Sequence, residues 1–112
     1  MHKIEAIIRP ERLQVVKVAL EEVEHGGMTL TEVRGHGVQR GVTEQWRGRT
    51  FSVEYLTKVK IEMVVADDEV QPIIKLIVEA ARSGEVGDGK IFVTPVTSAV
   101  RIRTGELDDE AL

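Results

Sequence analysis

Two β-α-β halves, each built from alternating strands and a helix with an apolar stripe, predict a ferredoxin-like α/β sandwich of βαββαβ type. Three observations carry that expectation. "HKIEAIIR" and "KVKIEMVVA" alternate as strands do; apolar residues recur at helical spacing after Pro10 and after Asp67-Asp68; and an irregular, glycine-containing stretch separates the halves.

The first strand, over residues 2–9, sets Ile4, Ala6 and Ile8 on one face. Pro10 opens a helix at a position where its missing N–H does no harm. Leu13, Val16, Ala19, Leu20 and Val23 then follow helical spacing to a stop at Gly26-Gly27. "MTLTEVR" reads as the second strand, and residues 35–55 read as a long irregular loop. The third strand, 58–66, turns Val59, Ile61 and Met63 inward. Asp67 and Asp68 supply an N-cap and negative charge where the second helix starts. Pro72 fits its first turn, Val70, Ile73, Ile74, Ile77, Val78 and Ala81 form its buried stripe, and Gly84 closes it. "KIFVTPV" is the fourth strand and "SAVRIR" an extra C-terminal one. Two helices cover one sheet face in this fold, so an apolar bare face implies an oligomer.

Composition bounds the function. With 112 residues and 42% hydrophobic content the chain is one domain, able to bury about two-thirds of its surface. It has no cysteine, so disulfides, thiolate metal sites and a cysteine nucleophile are excluded. No apolar run reaches the roughly 18 residues of a membrane span, and "MHKIEAIIRPE" is too soon charged for a signal peptide, so the cytoplasm is the expected compartment. The net charge of −4 argues against a nucleic-acid partner. Its distribution says more: Arg34, Arg40, Arg47, Arg49, Lys58 and Lys60 face only Glu44 and Glu54, whereas the tail carries Glu106, Asp108, Asp109 and Glu110. A basic middle on an acidic protein suggests a small anionic ligand or a docking loop.

Two glycine loops have the chemistry of phosphate cradles. "GEVGDGK" matches G-x-x-x-x-G-K, but Ile91 follows in place of Ser or Thr, and it runs helix to strand, so it is no Walker loop. Glycines can still turn backbone N–H groups toward an anion beside Lys90, although an ordinary turn with a surface lysine fits the bare pattern too. "GHGVQRG" follows a strand but precedes no helix, which excludes the dinucleotide fingerprint and leaves a hinge as the plain alternative. Arg101 and Arg103 share one face of the expected last strand, suited to phosphates or to acidic neighbours. The histidines at 2, 25 and 36 lack ligand spacing and read as surface residues; Glu62 reads as solvated. No nucleophile or acid–base pair stands out. RNA recognition on this fold needs aromatic residues on central strands, which here carry Val, Ile and Met.

Together, "KIEAIIRPERL", "GMTLTEVRGHG", "KVKIEMVV", "SGEVGDGKIFVTPV" and "RIRTGELDDEAL" resemble the nitrogen regulatory signal-transduction protein PII family (GlnB/GlnK type) across nearly the whole chain. The resemblance implies a single domain over residues 1–112, assembled as a homotrimer, with an effector loop near 36–56, a phosphate-cradling loop over 82–90 and a C-terminal loop and tail over 102–112. It implies ATP or ADP between subunits. Gly87, Asp88, Gly89 and Lys90 would cradle phosphates, Arg101 and Arg103 would reach in from the neighbour, Gly35 and Gly37 would lie alongside, and Gly27, Met28, Thr29, Glu62 and Val64 would surround adenine and ribose. Gln39 would hold Mg²⁺ with 2-oxoglutarate, Lys58 would pair with its distal carboxylate, and Gly37, Arg40, Gly41 and Gly87 would wrap the acid. A hard cation needs such oxygen ligands, and a dicarboxylate such cations.

The implied role is a non-enzymatic sensor whose loop regulates nitrogen-assimilation enzymes or an ammonium transporter, with recruitment to the inner membrane face. Trp46, Arg47, Arg49 and Phe51 lie at the loop's outer part, and Trp46 with Arg47 has the character of an interface anchor. Two departures matter. Val38 stands where the family commonly has Arg, which removes one phosphate contact and favours an alternative, an adenine-nucleotide sensor without 2-oxoglutarate control. Phe51 stands where modified relatives carry tyrosine, and without a hydroxyl it cannot be nucleotidylated.

Overall fold

The computed structural model describes residues 1–23, 27–38, 44–46, 49–51 and 53–112. Strand β1 (His2–Ile8) leads through a 3₁₀ turn at Pro10–Arg12 into helix α1 (Leu13–Leu20). Strand β2 (Thr29–Val38) follows, then two short strands, β3 (Glu44–Trp46) and β4 (Arg49–Phe51), and the long β5 (Val53–Val65). A second 3₁₀ turn at Asp67–Glu69 opens helix α2 (Val70–Ala81), and β6 (Gly89–Pro95) completes the sheet. The main sheet is antiparallel in the order β2-β5-β1-β6, with β3 and β4 paired separately.

This is the expected βαββαβ sandwich, and its core follows the sequence periods. Ile4, Ala6 and Ile8 of β1 and Val59, Ile61, Met63 and Val65 of β5 are buried against Val16 and Leu20 of α1 and Val70, Ile73, Ile77 and Ala81 of α2. Ile74 and Leu76 pack at the margin. The alternate residues of the central strands, Lys3, Glu5 and Ile7 with Lys60, Glu62 and Val64, form the other face and are only half-buried. Lys60 there lies 3.1 Å from Glu62 and 3.9 Å from Glu5.

Three expectations change. The stretch expected to be irregular from residue 35 is ordered β structure at both ends: β2 runs on to Val38, paired in unbroken register with β5 as far as Val38↔Val53. Glycines weaken strand propensity, yet the facing strand supplies the ladder that they cannot specify alone. "SAVRIR" is not a strand but a closed turn. Only Val100↔Leu107 bridges, Gly105 N–H donates to the Arg101 carbonyl at 2.7 Å, and Arg101 N–H to Glu106 at 2.9 Å. A strand needs a neighbour to accept its ladder, and Gly105, at φ +73°, folds the segment back instead.

The third change is at Asp67. It does not cap its helix through its side chain. Its carboxylate accepts from the Met1 amino group at 2.9 Å and meets His2 Nδ1 at 2.7 Å, because β1 and β5 pair His2 with Val65. Hydrogen bonding from the amino group and His2 lowers the Asp67 pKa below its ordinary 3.8, and Asp67 in turn raises that of the amino group above 8.0. Stability from the lowered carboxyl is present above 3.8 and fades as pH falls through its folded value; stability from the raised amine is present below 8.0 and fades above it. Asp67→Asn should therefore lower Tm between those limits, with the difference from the native chain shrinking in acid; a Tm gap that persists unchanged at pH 2 would contradict the pairing.

Candidate functional site

Helix α2 ends at Ala81, and residues 83–89 turn the chain into β6. Gly84, Gly87 and Gly89 take φ of +90°, +99° and +103°, a region in which side chains are strained. Gly89 has a second requirement: a Cβ there would lie 1.7 Å from the Ile7 carbonyl oxygen on β1. The turn is held by its own side chains. Asp88 accepts from Ser83 N–H and Gly84 N–H at 2.9 Å each, from the Ser83 hydroxyl, and from Arg9 Nε at 3.1 Å. Arg9 Nη2 also donates to the Val86 carbonyl at 2.7 Å. The Ser83 hydroxyl, then the Gly84 amide and Arg9, hold the Asp88 carboxyl far below the usual range, against partial desolvation.

Lys58 reaches this turn from β5. It is 9% exposed, and its ammonium donates to the Gly87 carbonyl. Gly35, His36, Leu56, Lys58, Glu85, Gly87, Asp88, Gly89 and Lys90 line one concavity. Among the described residues Lys90 has no ion-pair partner, and the backbone N–H groups of Val86 and Gly87 have no acceptor. Consecutive free N–H groups beside two lysines form an anion-binding concavity. The residues present thus fit a phosphate or carboxylate group.

A second concavity, lined by Lys3, Gly27, Met28, Thr29, Glu62, Met63 and Val64, lies four residues along β5, roughly 13 Å away. Thr29 sits directly opposite Glu62 in the β2–β5 register. Apolar Met28 and Val64 beside a carboxylate suit a flat heterocycle with a hydroxylated appendage.

Sequence-marked residues thus gather in two places: Gly35, Lys58, Gly87, Asp88, Gly89 and Lys90 in one, and Gly27, Met28, Thr29, Glu62 and Val64 in the other. Gly37 lies on β2 beyond both. Arg101 and Arg103 line neither. Arg101 donates to Glu106 at 3.1 Å and to the Leu112 carbonyl at 2.9 Å, and Arg103 lies exposed in the C-terminal turn. Trp46 is the Cα partner of Arg49 in the β3–β4 register, as Glu44 is of Phe51. Gln39, Arg40, Gly41 and Arg47 lie outside the described residues, as do His25 and Gly26. Among the described residues no three His, Asp or Glu side chains gather to hold a metal, and no helix is long and apolar enough to cross a membrane.

The roles of Arg9 and Ser83 were missed by sequence reading, although Ser83 lies inside the loop expected over 82–90. A hydroxyl residue followed by glycine and, five positions after the hydroxyl, by aspartate is a turn signature that could have marked Ser83. Nothing local ties Arg9 to a turn more than seventy residues away.

The family model for nitrogen regulatory protein P-II matches residues 1–106. Relatives named nitrogen regulatory protein P-II from Synechocystis sp. and from Cereibacter sphaeroides are 55% and 51% identical over all 112 residues, covering the whole of both proteins in each case. Nitrogen regulatory protein P-II 2 of Methanothermobacter thermautotrophicus is 52% identical over all of this chain and 97% of its own length. On a match of this length, over a sheet of the expected topology, the chain belongs to the nitrogen regulatory protein P-II family, whose members are regulators and not enzymes.

Proposed function

We propose that the chain is a homotrimeric sensor of ATP or ADP and of 2-oxoglutarate, which regulates nitrogen-metabolism targets through the segment carried by β2 and β5. The observation that carries this reading is the division of the marked residues between two concavities. One offers lysines and free N–H groups for phosphates, the other Met28, Val64 and Glu62 for adenine and ribose. A site so divided is completed where two copies meet, the phosphate half of one beside the nucleoside half of the next. Exposed Arg103, with Arg101, would approach from the neighbouring copy. The surface supports association: Phe92, Val93, Val100 and Ile102 are large apolar side chains left exposed on the isolated chain.

Lys58, Gly87 and Gly37, with Gln39, Arg40 and Gly41, would hold the keto acid. Mg²⁺ would bring oxygen-ligand chemistry, with Gln39 as its protein ligand. Ligand states that bind one arrangement of the loop better would shift its population, and a target reading the loop would read them. Trp46, Arg47, Arg49 and Phe51 are the residues offered to that target, an ammonium transporter or a nitrogen-assimilation enzyme. The protein would act in the cytoplasm, at the inner membrane face when the target is a transporter.

Calorimetry decides the matter. ATP should bind with or without 2-oxoglutarate, and 2-oxoglutarate should bind only when ATP and Mg²⁺ are present. Nucleotide binding with no response to the acid would instead establish a nucleotide sensor without 2-oxoglutarate control, the reading that Val38 favours. A chain that binds no nucleotide, or that is monomeric by light scattering, would overturn the proposal.

A further inference from the structure

We propose that Ser83, Asp88 and Arg9 form a brace that presets the 83–89 turn, and that this brace gives the site its discrimination for a phosphate tail; the proposal rests on the nucleotide reading above. The starting point is a puzzle. A carboxylate in a loop that takes anions should repel them, yet Asp88 sits between Gly87 and Gly89 in the middle of it.

The contacts resolve it. Asp88 spends its two oxygens on four donors inside the protein: the Ser83 and Gly84 amides, the Ser83 hydroxyl and Arg9 Nε. Arg9 cancels its charge, and of the remaining charges Lys58 and Lys90 outnumber Glu85, which leaves the concavity net positive. The same bonds join the first two residues of the turn to its sixth. The Ser83 oxygen further accepts the Glu85 amide at 3.2 Å, and Arg9 holds the Val86 carbonyl at 2.7 Å.

Every main-chain group that the brace fixes is therefore a carbonyl, or an amide outside residues 86 and 87. The N–H groups of Val86 and Gly87 keep their hydrogen-bonding capacity. A turn with three glycines at positive φ loses much conformational entropy on ordering, because glycine has the most to lose. A brace that orders it beforehand removes that cost from the binding step, which is the physical meaning of preorganisation. Ser83, Asp88 and Arg9 are positioning residues: they act on the phosphates through the backbone N–H groups they hold in place.

The test separates this role from general support of the fold. Calorimetry with ATP, ADP and adenosine should show Ser83→Ala and Asp88→Asn weakening ATP and ADP about tenfold, the loss of one charge-assisted hydrogen bond, with adenosine affinity unchanged. Ser83→Thr, which keeps the hydroxyl, should restore ATP binding. Arg9→Lys, which keeps the charge but loses the fork, should resemble Ser83→Ala. Asp88→Asn binding ATP as well as or better than the native chain would overturn the proposal, since Asp88 would then only repel. An equal loss for adenosine would overturn it too. Hydrogen exchange of the Ser83 and Gly84 amides gives a readout independent of any nucleotide: both should exchange faster in Asp88→Asn. Should the native chain bind no nucleotide, the functional reading fails while this exchange result still decides whether the brace exists, and unchanged exchange rules it out.

Discussion

Gly89→Ala is expected to destabilise the protein by about 3 kcal/mol or more, lowering Tm by roughly 12 °C or more. Two independent costs add. At φ +103° an alanine is strained, and its Cβ would sit 1.7 Å from the Ile7 carbonyl oxygen and 2.8 Å from the carbonyl carbon. That neighbour is main chain in a central strand whose next residue, Ile8, is a core side chain and pairs with Gly89 itself. Relief would require moving β1 or β6, and either motion opens the sheet above the core. Gly84→Ala is the control. It has a similar φ of +90° with nothing within 4 Å, so it should cost only about 1–2 kcal/mol, the conformational term alone. Equal Tm values for the two variants would show that the backbone contact is not limiting.

Lys58→Met should leave the fold nearly intact and, on the function proposed above, weaken the response to the keto acid. Methionine replaces most of the buried stem and adapts to irregular space. The Gly87 carbonyl loses its donor, costing about 1–3 kcal/mol, while removing a buried ammonium offsets part of that. Binding has no such compensation. A charge-assisted bond contributes about 1.5–3 kcal/mol, so 2-oxoglutarate affinity should fall roughly 10- to 150-fold, with ATP affected less. Lys58→Arg should not rescue, because a planar fork does not replace a compact ammonium held against β5. Calorimetry of both variants in ATP and Mg²⁺ checks this; a Lys58→Met protein that binds the acid normally would remove Lys58 from the site.

The elements that sequence reading placed well are those governed by local period. Ile4, Ala6 and Ile8 alternate because β1 is covered on one side only, and Val70, Ile73, Ile77 and Ala81 recur because α2 lies along that side. The misreadings share one physical origin, the long-range pairing that local pattern does not encode. Asp67 has a helix-start residue's propensity, but antiparallel register brings the amino terminus to it. "SAVRIR" alternates like a strand but has no adjacent strand in the chain. Gly35 and Gly37 look like breaks but are carried in the ladder by Leu56 and Glu54. The site was legible as composition, glycines and lysines near an anion. Its wiring was not, since Arg9 meets Val86 and Asp88 only after β1 and β6 pair side by side.

The unbroken β2–β5 ladder gives the molecule a mechanical property. The ladder runs ten rungs, from Thr29↔Glu62 to Val38↔Val53. Lys58 pairs with Val33, five rungs before the last described rung at Val38↔Val53, a span of about 17 Å. With Lys58 as fulcrum, a rotation of about 10° displaces that rung by about 3 Å, as much as a hydrogen-bond length. The single contact between Lys58 and the Gly87 carbonyl lies at the short end of this arm. Displacements too small to alter the core are thereby magnified toward the segment that a partner would grip.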